Sequence, residues 1–86
     1  MQRILFLDTE TDGLDATQIF VCVTKDKETG EVRYHTRADT FNNTVEDYDI
    51  VVGHNILSFD APYLNKLWKS GLTVSKIQDT YILSCL

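Results

Sequence analysis

Cysteine is scarce in this 86-residue chain: Cys22 and Cys85 are its only copies, with no C-x-x-C spacing. That excludes a disulfide framework and a cysteine-based zinc module. Cys22 lies in an apolar stretch and reads as a small buried residue, Cys85 as an incidental one. A single proline and four glycines leave no linker, and neither repeats nor low-complexity tracts occur. No apolar run approaches the roughly eighteen residues that a membrane span requires, and the opening residues lack a signal-peptide pattern. A soluble cytoplasmic protein with no membrane partner is therefore expected. Cations are also few, with 8 Lys and Arg against 13 Asp and Glu, for a net charge of −5. This argues against a broad electrostatic grip on nucleic acid. It leaves room for chemistry in which the carboxylates are themselves the working groups. The rest is ordinary: 43% hydrophobic and 24% charged residues are globular proportions. A chain this short buries somewhat over roughly 60% of its unfolded surface, so one small domain is expected over residues 1–86.

Periodicity places the elements. Ile4-Leu5-Phe6 reads as a first strand, and Gln18 to Thr24, apolar on both faces, as a strand in a covered sheet. Lys25 to Gly30 is a polar turn, and Glu31 to Thr36 alternates as a more exposed strand, completing an antiparallel meander. Residues 38 to 48 form a short helix or a loop. Asp49 to Gly53 reads as a short buried strand. From Ser58 to Ser70 the spacing predicts a helix whose apolar stripe is Ala61, Leu64, Leu67 and Trp68, with Asn65, Lys66 and Lys69 opposite. Pro62 falls in its first turn and Gly71 after its end. A brief strand at Lys76 to Gln78 and the opening of a helix at Tyr81 to Leu86 follow. The order βββαβαβ is that of an α/β domain with a mixed sheet.

Candidate chemistry begins at Leu7-Asp8-Thr9-Glu10-Thr11. Alternation puts Ile4, Phe6, Asp8 and Glu10 on one side of the strand and Leu5 and Leu7 on the other. Asp8 and Glu10 thus stand about 7 Å apart on one face, where like charges repel unless a cation lies between them. A divalent metal site explains the pair; so does a plain polar strand end running into the turn Thr11-Asp12-Gly13. Asp60 lies one helical turn before Leu64 and projects from the buried side of its helix toward the sheet margin. If the two ends coincide, Asp8, Glu10 and Asp60 converge.

These segments resemble the DEDD (DnaQ-like) 3′→5′ exonucleases, which have a ribonuclease H-like fold. The family's first motif, Asp-x-Glu, is matched by Asp8-Thr9-Glu10. The second, an Asn followed by an aromatic residue and Asp at a helix start, is matched by Asn55-Ile56-Leu57-Ser58-Phe59-Asp60. Ile77 to Ser84 also resembles the corresponding stretch in the proofreading domains of phage family A DNA polymerases. The resemblance implies that Asp8 and Glu10 hold two divalent metals, Mg2+ or Mn2+, with Asp60 ligating one of them. It further implies that Thr11, Asn55 and Phe59 position the 3′ end of a DNA strand.

One family feature has no counterpart. A fourth carboxylate is expected from a C-terminal helix, with a Tyr four or a His five residues ahead of it. No Asp of this chain has that spacing. Asp79 follows Asp60 too closely and reads as the cap of the helix at Tyr81. The expectation is a partial domain lacking the last helix, weak or inactive alone, whose activity returns if another polypeptide supplies that helix. The alternative is a catalytically dead interaction module that dimerises or docks on a polymerase or nuclease through its uncovered face; a gene remnant is a third reading. Among weaker candidates, His54 reads as a hydrogen-bonded strand-end residue, His35 as solvated, Lys66 and Lys69 as a wet helix face, and Trp68 and Tyr63 as core or core edge.

Overall fold

Period-two burial builds the central strand. In a computed structural model, which describes residues 2–11, 18–54 and 56–80, β1 (Ile4–Thr11) buries Leu5, Leu7 and Thr9 and exposes Phe6, Asp8 and Glu10, as alternating faces require. Asp8 and Glu10 lie within the strand, which runs on past its apolar residues. The antiparallel ladder with β2 (Ile19–Asp26) sets that length, pairing Asp8 with Val23 and Glu10 with Val21. β3 (Val32–His35) adds the third antiparallel strand, with Cys22 opposite His35. The expected turn joins β2 to β3: the Asp26 carboxylate accepts from the backbone N–H groups of Glu28 and Thr29, and Gly30 takes a φ of 75°, a conformation that a side chain would oppose.

The ambiguous segment is a helix, α1 (Ala38–Glu46), whose buried residues Phe41 and Val45 are one turn apart. β4 (Ile50–Gly53) then returns parallel to β1, with Val51 beside Leu5. At Gly53 the chain doubles back tightly, since an added Cβ would lie 3.1 Å from both the Ile56 Cβ and the Leu7 carbonyl oxygen. A π-helical turn (Ile56–Asp60) runs directly into α2 (Ala61–Leu67), with Pro62 in its first turn. α2 is shorter than the expected Ser58 to Ser70 helix. The Asn65 side chain clamps the N–H and carbonyl of Leu72, and Lys69 already has a φ of 54°, so the chain leaves the helix early. A 3₁₀ turn (Val74–Lys76) leads to β5 (Ile77–Asp79), parallel to β4. The sheet order is β3-β2-β1-β4-β5, the expected mixed sheet in the expected element order. The helix start at Tyr81 and Cys85 lie outside the described residues.

The core occupies one face of the sheet, where Leu5, Leu7, Cys22 and Val51 meet Phe41, Val45, Ala61 and Leu64. Two expectations change here. Periodicity predicts a strand at Gln18 to Thr24 covered on both faces; among the described residues only one face is covered, and Phe6, Val32 and Tyr34 remain exposed. Apolar β-branched residues suit a pleated strand whether or not a second layer lies over them. His35, expected to be solvated, is buried, edge-on to Phe41 at 5.7 Å, with Nε2 3.2 Å from Thr24 Oγ1. Burial, with Arg33 nearby, holds its pKa below the ordinary value. No helix among the described residues is long and apolar enough to cross a membrane.

Candidate functional site

Strand β1 carries the first two candidate residues on its open face. Asp8 and Glu10 are both exposed, and a shallow hollow of about 190 Å³ beside Asp8 is lined by Phe6, Val23 and Lys25 among others. Asp60 comes from the other side of the sheet. Its backbone is already helical (φ −65°, ψ −47°) and its side chain makes no capping bond to α2, so the carboxylate is available to the sheet. The Thr9 hydroxyl donates to Asp60 Oδ1 at 2.7 Å, and both residues are buried. Thr9 stands between Asp8 and Glu10 in sequence and faces away from both. The fold therefore brings Asp60 to the strand segment that bears the other two acids, and ties it to the residue between them.

The electrostatics reflect this crowding. Burial lifts the Asp60 pKa from 3.8 to about 6; the Thr9 hydrogen bond opposes the rise, and the negative charges of Asp8 and Asp79 add to it. A carboxylate raised by burial and like charge is a common signature of a working site, and a bound cation would relieve it. The oxygen-only donors Asp8, Glu10 and Asp60 fit a hard ion such as Mg2+ or Mn2+ in chemistry. In arrangement they stop short of a closed cage: among the described residues, no group of three His, Cys, Asp or Glu side chains is placed to hold a metal ion.

Thr11 ends β1 at a register shift, opposite Ile19. Phe59 is half-buried, its ring edge-on to Tyr63 at 5.1 Å. Asn55 lies outside the described residues. His54 Nδ1 sits 3.1 Å from the Thr80 hydroxyl, matching its reading as a hydrogen-bonded strand-end residue. Lys66 and Lys69 are exposed, and Tyr63 and Trp68 pack partly buried against the core. Burial, then the charges of Asp60 and Asp8, push the Cys22 thiol far above its usual pKa, which makes it unreactive.

Sequence analysis does not single out Thr9, and it expects Asp79 as a helix cap, whereas Asp79 closes strand β5. Asp79 is buried at the end of β5, opposite Gly53 of β4, and its charge reaches Asp60. Thr9 had a signal: alternation puts its hydroxyl on the same face as Leu5 and Leu7, and a buried hydroxyl calls for a partner. For Asp79 the signal is weaker, an acid closing a short strand parallel to one that ends in glycine.

With this geometry in place, comparison with known proteins gives three findings. Residues 5–83 match the RNase_H superfamily. No curated protein matches the chain. Among solved structures, the chain is similar to the family B DNA polymerase from the hyperthermophilic archaeon Pyrobaculum calidifontis, with a TM-score of 0.81 and 19% identity. The alignment covers 99% of this chain and 16% of the polymerase. At that identity the likeness shows the fold, an α/β ribonuclease H-like sheet.

Proposed function

This chain belongs to the RNase_H superfamily, and on that ground we propose that residues 1–86 are the front part of a DEDD (DnaQ-like) 3′→5′ exonuclease domain. Its substrate is the 3′ end of a DNA strand, as in a phage polymerase proofreading domain, and it works in the host cytoplasm. The observation that carries this reading is the tie of Asp60 to Thr9, 51 residues apart in sequence, between the exposed acids Asp8 and Glu10.

In this reading Asp8, Glu10 and Asp60 hold the divalent metals, Mg2+ or Mn2+. Bound there, such ions supply an activated water and charge stabilisation for the leaving 3′ oxygen. Thr11 and Asn55 position the terminal nucleotide. Phe59, braced against Tyr63, offers it an apolar wall. The last acidic motif is absent from these 86 residues, so the chain alone is weak.

Release of nucleotides from a 3′-labelled single strand tests the assignment. Slow digestion that requires Mg2+ or Mn2+ and disappears in Asp8→Ala is expected. Digestion that persists unchanged in Asp8→Ala would overturn it.

The open sheet face favours a second reading, an interaction module. Tyr34 is 74% exposed, Phe6 39% and Val32 45%, and apolar groups clustered on one face mark an interface more often than scattered ones do. The occupant is a second copy, or a polymerase or nuclease segment carrying the missing helix. Light scattering that shows a monomer at high concentration, with no association on adding such a helix, removes this reading.

A further inference from the structure

We propose that His35 is an acid-sensitive clasp: with its single proton on Nδ1 it ties β3 to α1, and a second proton on Nε2 undoes the tie. Hydrogen bonding fixes the tautomer. The Thr40 hydroxyl donates to the Arg37 carbonyl oxygen at 3.2 Å, so its one hydrogen is used and toward the imidazole it can only accept. His35 Nδ1, 3.4 Å from Thr40 Oγ1, is therefore the donor, and Nε2 carries the lone pair. Thr24 Oγ1 lies 3.2 Å from Nε2 and donates to it. Both ring nitrogens are thus matched, one to β2 and one to the head of α1, and the ring packs edge-on to Phe41 of the same helix.

Protonation removes this match. A proton on Nε2 sets two donors against each other unless the Thr24 hydroxyl turns its hydrogen away, and Thr24 is 1% and His35 5% exposed, where a hydrogen without an acceptor is costly. The surrounding charges give the imidazolium little compensation. Arg33, two residues back on the same face of β3, repels it. Asp39 of α1 is exposed and paired with Arg37, and Asp26, two residues beyond Thr24 on β2, is held by the Tyr48 hydroxyl. The Cys22 thiol opposite His35 stays protonated. Burial, then Arg33, keeps the His35 pKa below its ordinary 6.5. The clasp is therefore intact above 6.5 and weakens as pH falls toward the folded value. Phe41 and Val45 are the buried residues of α1, so a helix released at its head uncovers both.

Two measurements on the wild-type 86-residue chain test this. Two-bond ¹H–¹⁵N spectra at neutral pH should show the His35 proton on Nδ1 and a bare Nε2. Amide hydrogen exchange should show the Phe41 and Val45 amides of α1 losing protection relative to the Leu5 and Leu7 amides of β1. The expected loss is about tenfold per pH unit from about 6.5 down to the His35 pKa. Taking β1 as the reference removes global unfolding, and with it the titration of Asp60. His35→Phe keeps a ring against Phe41 and cannot be protonated, so its relative protection should stay flat with pH. A proton on Nε2 at neutral pH would overturn the proposal, as would α1 amides that follow those of β1 at every pH. A folded His35→Phe that keeps the acid response would overturn it too; if that variant does not fold, the wild-type tautomer and exchange decide.

Discussion

Replacing Asp60 with asparagine should make the protein more stable at neutral pH, although it removes a proposed ligand. Burial and the charges of Asp8 and Asp79 raise the Asp60 pKa from 3.8 to about 6 in the folded chain. Between those two values the folded state holds a proton that the unfolded state has released. Stability is therefore fully present below about pH 4 and falls as pH rises through about 6. A carboxyl moved from 3.8 to about 6 corresponds to about 3 kcal/mol. Solvent screening at a site beside the exposed Asp8 reduces this to about 1–2 kcal/mol. Asparagine keeps an acceptor for the Thr9 hydroxyl and carries no charge, so Asp60→Asn should gain about that amount at pH 7.5 and lose the slope between pH 4 and 6. Urea unfolding followed by the single tryptophan, Trp68, which packs 5.6 Å from Phe41, is a direct assay. With a slope of about 1 kcal/mol per molar urea for a small domain, the midpoint should rise by about 1–2 M. The comparison belongs above pH 4. Below it Asp26, held down to about 2 chiefly by the Tyr48 hydroxyl, acts in the opposite sense and loses its contribution as the solution acidifies. A variant less stable than wild type at pH 7.5, or with an unchanged slope from pH 4 to 6, would refute the reasoning.

Two further substitutions probe the scaffold. Phe41 is fully buried between His35 and Trp68, so Phe41→Ala should cost about 3–5 kcal/mol. That is a large part of the roughly 4–13 kcal/mol that a domain of this size can have, and urea unfolding should find the variant near its limit of folding. Gly53→Ala would set a Cβ 3.1 Å from the Ile56 Cβ and the Leu7 carbonyl oxygen, at a cost of about 1–3 kcal/mol. Thermal melts should then fall by roughly 4–8 °C per kcal/mol; an unchanged melting temperature would show that the turn into Ile56 is not tightly packed.

Strand faces were legible from alternation alone, because a two-residue period is a property of the backbone. Leu5 and Leu7 share one face and Asp8 and Glu10 the other, as the alternation predicts; that the leucine face is the buried one comes from the structure. What occupies each face was less legible. β2 is apolar on both sides, yet Val21 and Val23, opposite Glu10 and Asp8, are only half-buried, because hydropathy reports affinity for a cover and says nothing of whether the described chain provides one. His35 shows the converse: a polar residue on a short edge strand goes under when a neighbouring helix brings Phe41 over it. The end of α2 escaped periodicity as well, since the Asn65 clamp on Leu72 is a tertiary event. Asp60 combines both kinds of information. Its helical spacing correctly turned it toward the sheet. The partner it meets there is Thr9, which shares the covered face of β1 with Leu5 and Leu7. An acid that arrives from the helix layer can touch only residues of that face directly. Its influence on Asp8 and Glu10 must therefore act through the strand edge, through space, or through an ion. Thr9, between Asp8 and Glu10 in sequence, is where Asp60 of the helix layer is tied to the sheet.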